Sequence, residues 1–188
     1  GDVNGQTLLV TGGAGRVGYY AIQWAVGAGA KVIATASNPE DEALCLALGA
    51  SAVVNHREAG WGEQVVVCNG GNKIDRVVEV EFGANLPEVL NCIRIGGTIA
   101  TYSSAQVAEP SLPFRDMMFM DLTLRMVIVY AMPEDAKEAA VADTCAALAN
   151  DQLQHRIAHS LPFAEMARSH ELIEQGGFGG CVVVRIDD

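Results

Sequence analysis

The sequence predicts an α/β fold: a doubly wound parallel sheet of six strands, followed by a small C-terminal strand–helix–strand tail. Three observations carry this. Short apolar, β-branched runs recur along the chain with helix-length stretches between them, and right-handed crossovers then force a parallel sheet with helices on both faces. The first run, Leu8-Leu9-Val10, leads straight into the glycine loop Thr11-Gly12-Gly13-Ala14-Gly15-Arg16-Val17-Gly18. Half of the 188 residues are hydrophobic and only 19% are charged, so much of the chain has to lie inside a packed core.

In order, the first strand covers 8–10 and the glycine loop opens a helix over 17–27. Its apolar positions Ala21, Ile22 and Ala25, continuing to Ala28, recur at helical spacing. Val32-Ile33-Ala34-Thr35 is the next strand, about 20 residues on. Helices over 41–48, 62–67, 86–94 and 134–150 alternate with strands over 52–55, 74–79, 98–102 and 122–130. The expected strand order is 3-2-1-4-5-6, with a ligand crevice at the switch beside the first strand. From His155 on, a strand (156–161), a helix (164 to about 174) and a strand (181–186) are punctuated by Pro162-Phe163 and the glycine run 176–180. That tail is too small to bury a core of its own. The expected division is therefore a dinucleotide-binding domain, 1–151, and a tail, 152–188.

The glycine loop is where the chain carries chemistry. Glycines let the backbone turn tightly and approach a diphosphate closely, and the following helix presents N–H groups and a positive dipole end. Strand, glycine loop, helix and second strand in this order form the dinucleotide-binding unit of Rossmann folds. Gly12, Ala14, Gly15, Arg16, Val17 and Gly18 are expected to surround a pyrophosphate through their backbone N–H groups. The alternative is a tight strand-to-helix turn that holds no ligand.

Composition narrows the remaining classes. A net charge of −11 without any cluster of Lys or Arg argues against a nucleic-acid or anionic-membrane surface. The longest apolar runs are too short to span a bilayer, and no basic-then-apolar leader opens the chain. Cys45, Cys68, Cys92, Cys145 and Cys181 are scattered, odd in number and form no C-x-x-C pair, which fits reduced thiols in a cytoplasm. The histidines lack metal-ligand spacing apart from His155 and His159, which read as turn or solvent residues, so no metal is expected.

Further stretches occur in a telling order. They are Gly5-Gln6-Thr7-Leu8-Leu9-Val10; Leu48-Gly49-Ala50 with Val54-Asn55-His56-Arg57-Glu58; and Ile74-Asp75-Arg76-Val77-Val78-Glu79. Then come Gly96-Gly97-Thr98-Ile99, Leu122-Thr123-Leu124-Arg125 and Ala167-Arg168-Ser169-His170-Glu171. With them the whole chain resembles the cofactor domain and C-terminal tail of the medium-chain dehydrogenase/reductase superfamily, in its zinc-free quinone oxidoreductase (zeta-crystallin-like) branch. The resemblance implies hydride transfer from a nicotinamide cofactor to a small quinone or enone, without a metal. No acid or base in the chain stands out as catalytic, since the cofactor carries the chemistry. The resemblance also implies a GroES-like domain ahead of the glycine loop, which the tail would complete, so that the chain reads as a fragment. It implies a homodimer through the sixth strand as well, and 122–130 lacks the Pro or Lys that blunts an exposed edge.

Cofactor choice turns on the end of the second strand. Ala36 and Ser37 stand where NAD-preferring sites carry Asp or Glu, so a 2′-phosphate is not repelled there, and Ser37 and Asn38 could donate hydrogen bonds to it. The Lys that NADPH enzymes of the resembling family often carry is replaced by Ala43, beside Glu40, Asp41 and Glu42. Arg57 is the remaining cation for that phosphate, or a solvated loop residue. The balance favours NADPH, with NADH possible. Arg16, where the family has a small residue, either reaches a phosphate or points into solvent. Tyr102 and Ser103 after the fifth strand, with Val129 and Tyr130 closing the sixth, form a nicotinamide wall or merely end their strands. Glu79 and Glu81 at the fourth strand's exit line the crevice or face solvent.

Other readings compete. A short-chain dehydrogenase needs a Tyr with a Lys four residues later. Tyr19, Tyr20, Tyr102 and Tyr130 are followed at that spacing by Gln23, Trp24, Gln106 and Glu134, so the motif is missing. A methyltransferase binding S-adenosylmethionine would want an acidic residue at Ala36-Ser37. A non-catalytic nucleotide-binding or dimerisation module remains as the alternative of a different class.

Overall fold

The computed structural model describes residues 2–186. β1 (Thr7–Val10), α1 (Arg16–Gly27), β2 (Lys31–Ala36), α2 (Pro39–Ala47), β3 (Ala52–Asn55), α3 (Trp61–Cys68), β4 (Ile74–Glu79) and α4 (Phe82–Cys92) follow one another with short connections. β5 (Ile93–Thr101), α5 (Phe114–Phe119), β6 (Thr123–Met126) and α6 (Glu134–Ala149) come next. The chain ends in β7 (Ile157–Pro162), α7 (Met166–Gln175) and β8 (Cys181–Arg185). It divides into two compact units, 1–141 and 142–188. The division falls inside α6, ahead of the position after residue 151 expected from the sequence.

In the first unit the strands pair in parallel, in the order β3-β2-β1-β4-β5-β6. The winding reverses between β1 and β4, which leaves a crevice at the carboxyl ends of those strands. Side chains of a strand alternate between faces, and the two cores follow from that period. Leu9, Ile33, Val54, Val77 and Ile99 pack with Trp61, Val65, Leu86 and Val89 of α3 and α4. Leu8, Val10, Val32 and Ala34 face the other way, onto Tyr19, Ile22 and Ala25 of α1 and Cys45 near α2's end. Each fully buried aliphatic side chain contributes about 1.5–3 kcal/mol relative to exposure. Both faces of the sheet are covered.

Three local expectations need correction. α4 begins at Phe82 rather than 86 and carries Pro87 inside it; the Pro invites a helix start beside it, but Phe82 and Leu86, both buried, extend the apolar face back by a turn. β5 starts at Ile93, directly after α4, and its pairing jumps from Ile74↔Ile93 to Arg76↔Thr98, with Gly96 at φ +70° in the looped-out stretch. β6 ends at Met126, not at Tyr130: its partner β5 runs out at Thr101, and the last ladder bond is Val127 N–H to Thr101 O at 2.8 Å. Beyond it, Val129–Ala131 form a 3-10 turn.

In the second unit, β7 and β8 pair in parallel and α7 connects them. Ile157, Phe163, Met166 and Ile173 remain exposed there. Among the described residues no helix is long and apolar enough to cross a membrane.

Candidate functional site

The loop after β1 is pinned from both sides. Thr11 N–H donates to Val78 O of β4 at 3.0 Å. Gly12 adopts φ +61°, a conformation that side chains disfavour, and donates its N–H to Thr35 Oγ1 at 2.9 Å. Gly13 N–H donates to Thr35 O at 3.0 Å, so the end of β2 holds the loop as firmly as β4 does. Gly15 is the N-cap of α1, in an extended conformation, and no side chain caps the helix. An uncapped helix start behind a glycine loop is the arrangement that receives a diphosphate.

Close packing explains the glycines. A Cβ at Gly18 would collide with Gly12 O and would lie 2.9 Å from Gly12 C. One at Gly13 would lie 2.8 Å from Cys45 Sγ and 2.9 Å from Ala34 Cβ. Gly13, absent from the residues expected at the site, therefore seats the loop on the core, while Gly18 lets α1 approach the loop backbone. Gly15, Arg16 and Val17 are exposed at the helix start and Ala14 is half-buried.

Two cavities flank this loop in the sheet order. One of about 190 Å³ lies at the carboxyl ends of β2 and β3 and is lined by Ser37, Asn38, Glu42, Asn55 and Glu58, among others. Ser37 and Asn38 are thus where the sequence put them, but the Asn38 amide is engaged in capping α2. Its Oδ1 accepts from Asp41 N–H at 2.9 Å and its Nδ2 donates to Asp41 Oδ2 at 2.8 Å. Arg57 is exposed and is not among the residues lining this cavity; the charged groups that line it are Glu42 and Glu58.

The second cavity, about 400 Å³, lies at the ends of β5 and β6. Phe82, Tyr102, Ser103, Leu112, Val127 and Ile128 are among its walls. Tyr102 and Ser103, expected after the fifth strand, both line it. Val129 and Tyr130 are not in the wall: they sit on the 3-10 turn, 57% and 85% exposed, and Val127 and Ile128 line the cavity instead. Burial and the neighbouring Glu79 carboxylate push the Tyr102 phenol up to about 12, so it stays protonated and neutral.

The two carboxylates at the exit of β4 face neither solvent nor crevice in the simple way their position suggested. Glu79 is fully buried; its Oε1 accepts from Thr11 Oγ1 (2.9 Å), Glu81 N–H (2.6 Å) and Asn85 Nδ2 (2.8 Å). Burial raises its pKa above the ordinary value. Glu81 binds the backbone after β5. Sequence spacing could not reveal either role, because Thr11, which bonds Glu79, and residues 105–107, which bond Glu81, lie at the ends of other strands.

The family model for zinc-binding dehydrogenases matches residues 17–144. The chain belongs to that family. It is a cofactor domain of the medium-chain dehydrogenase/reductase kind, similar to quinone oxidoreductases. It is 29% identical to a quinone oxidoreductase of Pongo abelii over 92% of this chain and 52% of that protein. A quinone oxidoreductase of Salmonella typhimurium is 35% identical over 53% of this chain and 31% of its own length. Among solved structures, a mycobacterial quinone oxidoreductase superposes with a TM-score of 0.86 at 26% identity, covering 97% of this chain and 57% of that one. The chain spans about half the length of the mammalian quinone oxidoreductases it matches. The family's name carries zinc, yet among the described residues no group of three or more His, Cys, Asp or Glu could hold a metal ion.

Proposed function

We propose that the chain is the nicotinamide-dinucleotide-binding part of a zinc-independent reductase for small quinones or enones. The observation that carries this is the uncapped glycine cradle with a cavity on either side of it, all at the carboxyl ends of parallel strands. Gly12 to Gly18 would hold the diphosphate through backbone N–H groups. The cavity at Ser37 and Asn55 would take the adenosine ribose, and the one at Tyr102 and Val127 the nicotinamide with its acceptor. When bound, the nicotinamide supplies a hydride to that acceptor. The chain's own part is to bind and orient. No charged side chain is among the residues lining the larger cavity, and its apolar walls Phe82, Leu112, Met126, Val127 and Ile128 exclude water and favour a neutral, flat acceptor.

NADPH remains the favoured cofactor, because no carboxylate stands at Ala36-Ser37. Glu42 and Glu58 in the ribose cavity and the exposed position of Arg57 narrow the margin, to within about tenfold or about 1.4 kcal/mol of NADH. The second unit, with its exposed Ile157, Phe163 and Ile173, would complete a GroES-like domain contributed by further chain. A homodimer would form along β6, and a reduced cytoplasmic setting suits the five free thiols. Calorimetric titration with NADPH and NADH tests the reading. Both should bind, and Gly15→Asp should abolish binding by putting a negative side chain where the diphosphate sits. Equal affinity of the variant and the unmodified chain would overturn it.

A further inference from the structure

We infer that Glu81 is a positioning residue that holds the movable wall of the nicotinamide-side cavity, an inference that rests on the function proposed above. Glu81 joins β4 to α4 and is fixed at both ends of its backbone: its N–H donates to Glu79 Oε1 at 2.6 Å and its carbonyl accepts from Asn85 N–H at 3.0 Å. The carboxylate then reaches across to the segment after β5. Oε2 accepts from Ala105 N–H at 2.9 Å, and Oε1 accepts from Gln106 N–H at 2.9 Å and Val107 N–H at 3.4 Å. Three successive backbone donors around one carboxylate make a nest, and bonds to an ionised acceptor are about twice as strong as neutral ones.

Neighbouring bonds fasten the same segment to the start of α4. Phe82 N–H donates to Ser103 O at 3.1 Å, Gly83 N–H donates to Ser104 Oγ at 2.9 Å, and Ser104 Oγ donates to Val107 O at 2.5 Å. A Cβ at Gly83 would lie 2.5 Å from Val107 O, so the two backbones meet as closely as glycine permits. Residues 102–113 have no helix or strand of their own, and 105–109 are exposed. Such a segment opens easily unless specific bonds hold it. Its inner residues Tyr102, Ser103, Ser104, Ala108 and Pro110 form one wall of the cavity, and Met126, Val127 and Ile128 belong to the wall made by β6 and the residues after it. Glu81 itself is not among the residues lining the cavity; it acts through the segment it holds, which sets the width of that space.

The experiment compares two ligands that differ only at the nicotinamide end. NADPH fills both cavities, whereas 2′-phospho-ADP-ribose reaches only the glycine loop and the ribose cavity. Glu81→Ala should weaken NADPH about tenfold while leaving 2′-phospho-ADP-ribose within about twofold. Glu81→Gln should fall between, since its amide oxygen still accepts from the nest. Hydrogen exchange supplies the second readout: the amides of Ala105, Gln106 and Val107 should exchange faster in Glu81→Ala than in the unmodified chain. Equal weakening of both ligands would mark a general folding effect and overturn the inference, as would unchanged NADPH affinity or unchanged exchange. If the unmodified chain binds neither ligand, the dinucleotide reading itself fails and takes this inference with it. Tight 2′-phospho-ADP-ribose binding without a Glu81 effect on NADPH removes the inference alone.

Discussion

Glu79 sits at the centre of the switch between β1 and β4, and its two oxygens are treated unequally. Oε1 collects three donors while Oε2, also buried, has no partner. An ionised carboxylate with a bare buried oxygen is costly, and burial, with a smaller push from Glu81, raises the pKa against the pull of the three hydrogen bonds. The folded chain therefore binds this proton more tightly than the unfolded chain does. The resulting stabilisation is full below the ordinary value of 4.5 and is lost as pH rises through the raised folded value. Glu79→Gln keeps an acceptor for the three donors and cannot ionise. Its stability relative to the unmodified chain should thus improve with pH across that window and level off above it, in urea unfolding followed from pH 4 upward. A difference that does not change with pH would refute the argument. The same substitution removes the negative charge beside Tyr102, one of the two causes holding its phenol near 12.

At the scale of elements, local and long-range causes separate cleanly. β3 and β4 occupy the residues that their apolar runs indicate, because short β-branched runs between turn residues record strand propensity directly in the sequence. The glycine loop is legible from its own glycines, although Thr35 at the end of β2 and Val78 in β4 also hold its conformation. The β-branched run 122–130 is longer than β6 because it records propensity, whereas a strand also needs a partner, and β5 stops at Thr101. α5, six residues long with no residue fully buried, is too short for its apolar positions to stand out as a helical period. Caps supplied from afar are hidden altogether. The N-cap of α3 is Gly60, without a side chain, and Glu88 of α4 fills its place: Oε1 accepts from Gly60 N–H and Oε2 from Gly62 N–H, both at 2.9 Å. A carboxylate at a helix start also meets the positive end of the dipole. Glu88→Ala should cost about 1.5–3 kcal/mol, the usual worth of bonds to a charged group, measured by chemical unfolding. It should change dinucleotide affinity much less than stability, since neither Glu88 nor the Gly60 and Gly62 amides it binds line either cavity. A loss under 0.5 kcal/mol, roughly that of an ordinary surface change, would show that water caps α3 equally well.

For the whole molecule, the decisive feature is that the sheet stops at β6 with its last edge open. Val127 turns its N–H inward to Thr101 O, so the alternation of a strand points the N–H groups of Met126 and Ile128 outward. Their side chains, with Val129 and Tyr130, are 57–85% exposed, and no Pro or Lys interrupts the edge. A second copy related by a two-fold axis can pair along this edge and continue the sheet, because the same backbone groups meet on both sides. Because β6 ends at Met126 rather than Tyr130, the proposed dimer would have a shorter strand to pair along than 122–130, and side-chain burial would have to supply more of the association than backbone pairing does. Ile128 is the informative position: it is extended, at φ −138°, and 57% exposed. Ile128→Lys would bring a charge onto the edge without disturbing the inward bond of Val127. The unmodified chain should sediment as a dimer and Ile128→Lys as a monomer. Because Ile128 also lines the cavity at the ends of β5 and β6, the binding control is 2′-phospho-ADP-ribose, whose affinity should be retained, since the glycine loop after β1 lies three strands from β6. Catalysis should not follow binding so simply. The chain spans about half the length of its relatives, and the acceptor cavity it offers is walled only by Phe82 of α4, the end of β5 with the segment after it, and residues 126–128. Quinone reduction by this chain in isolation should therefore be slow or absent while NADPH still binds. A monomer at high concentration would defeat the dimer, and brisk quinone turnover would show that the acceptor site is complete within these residues.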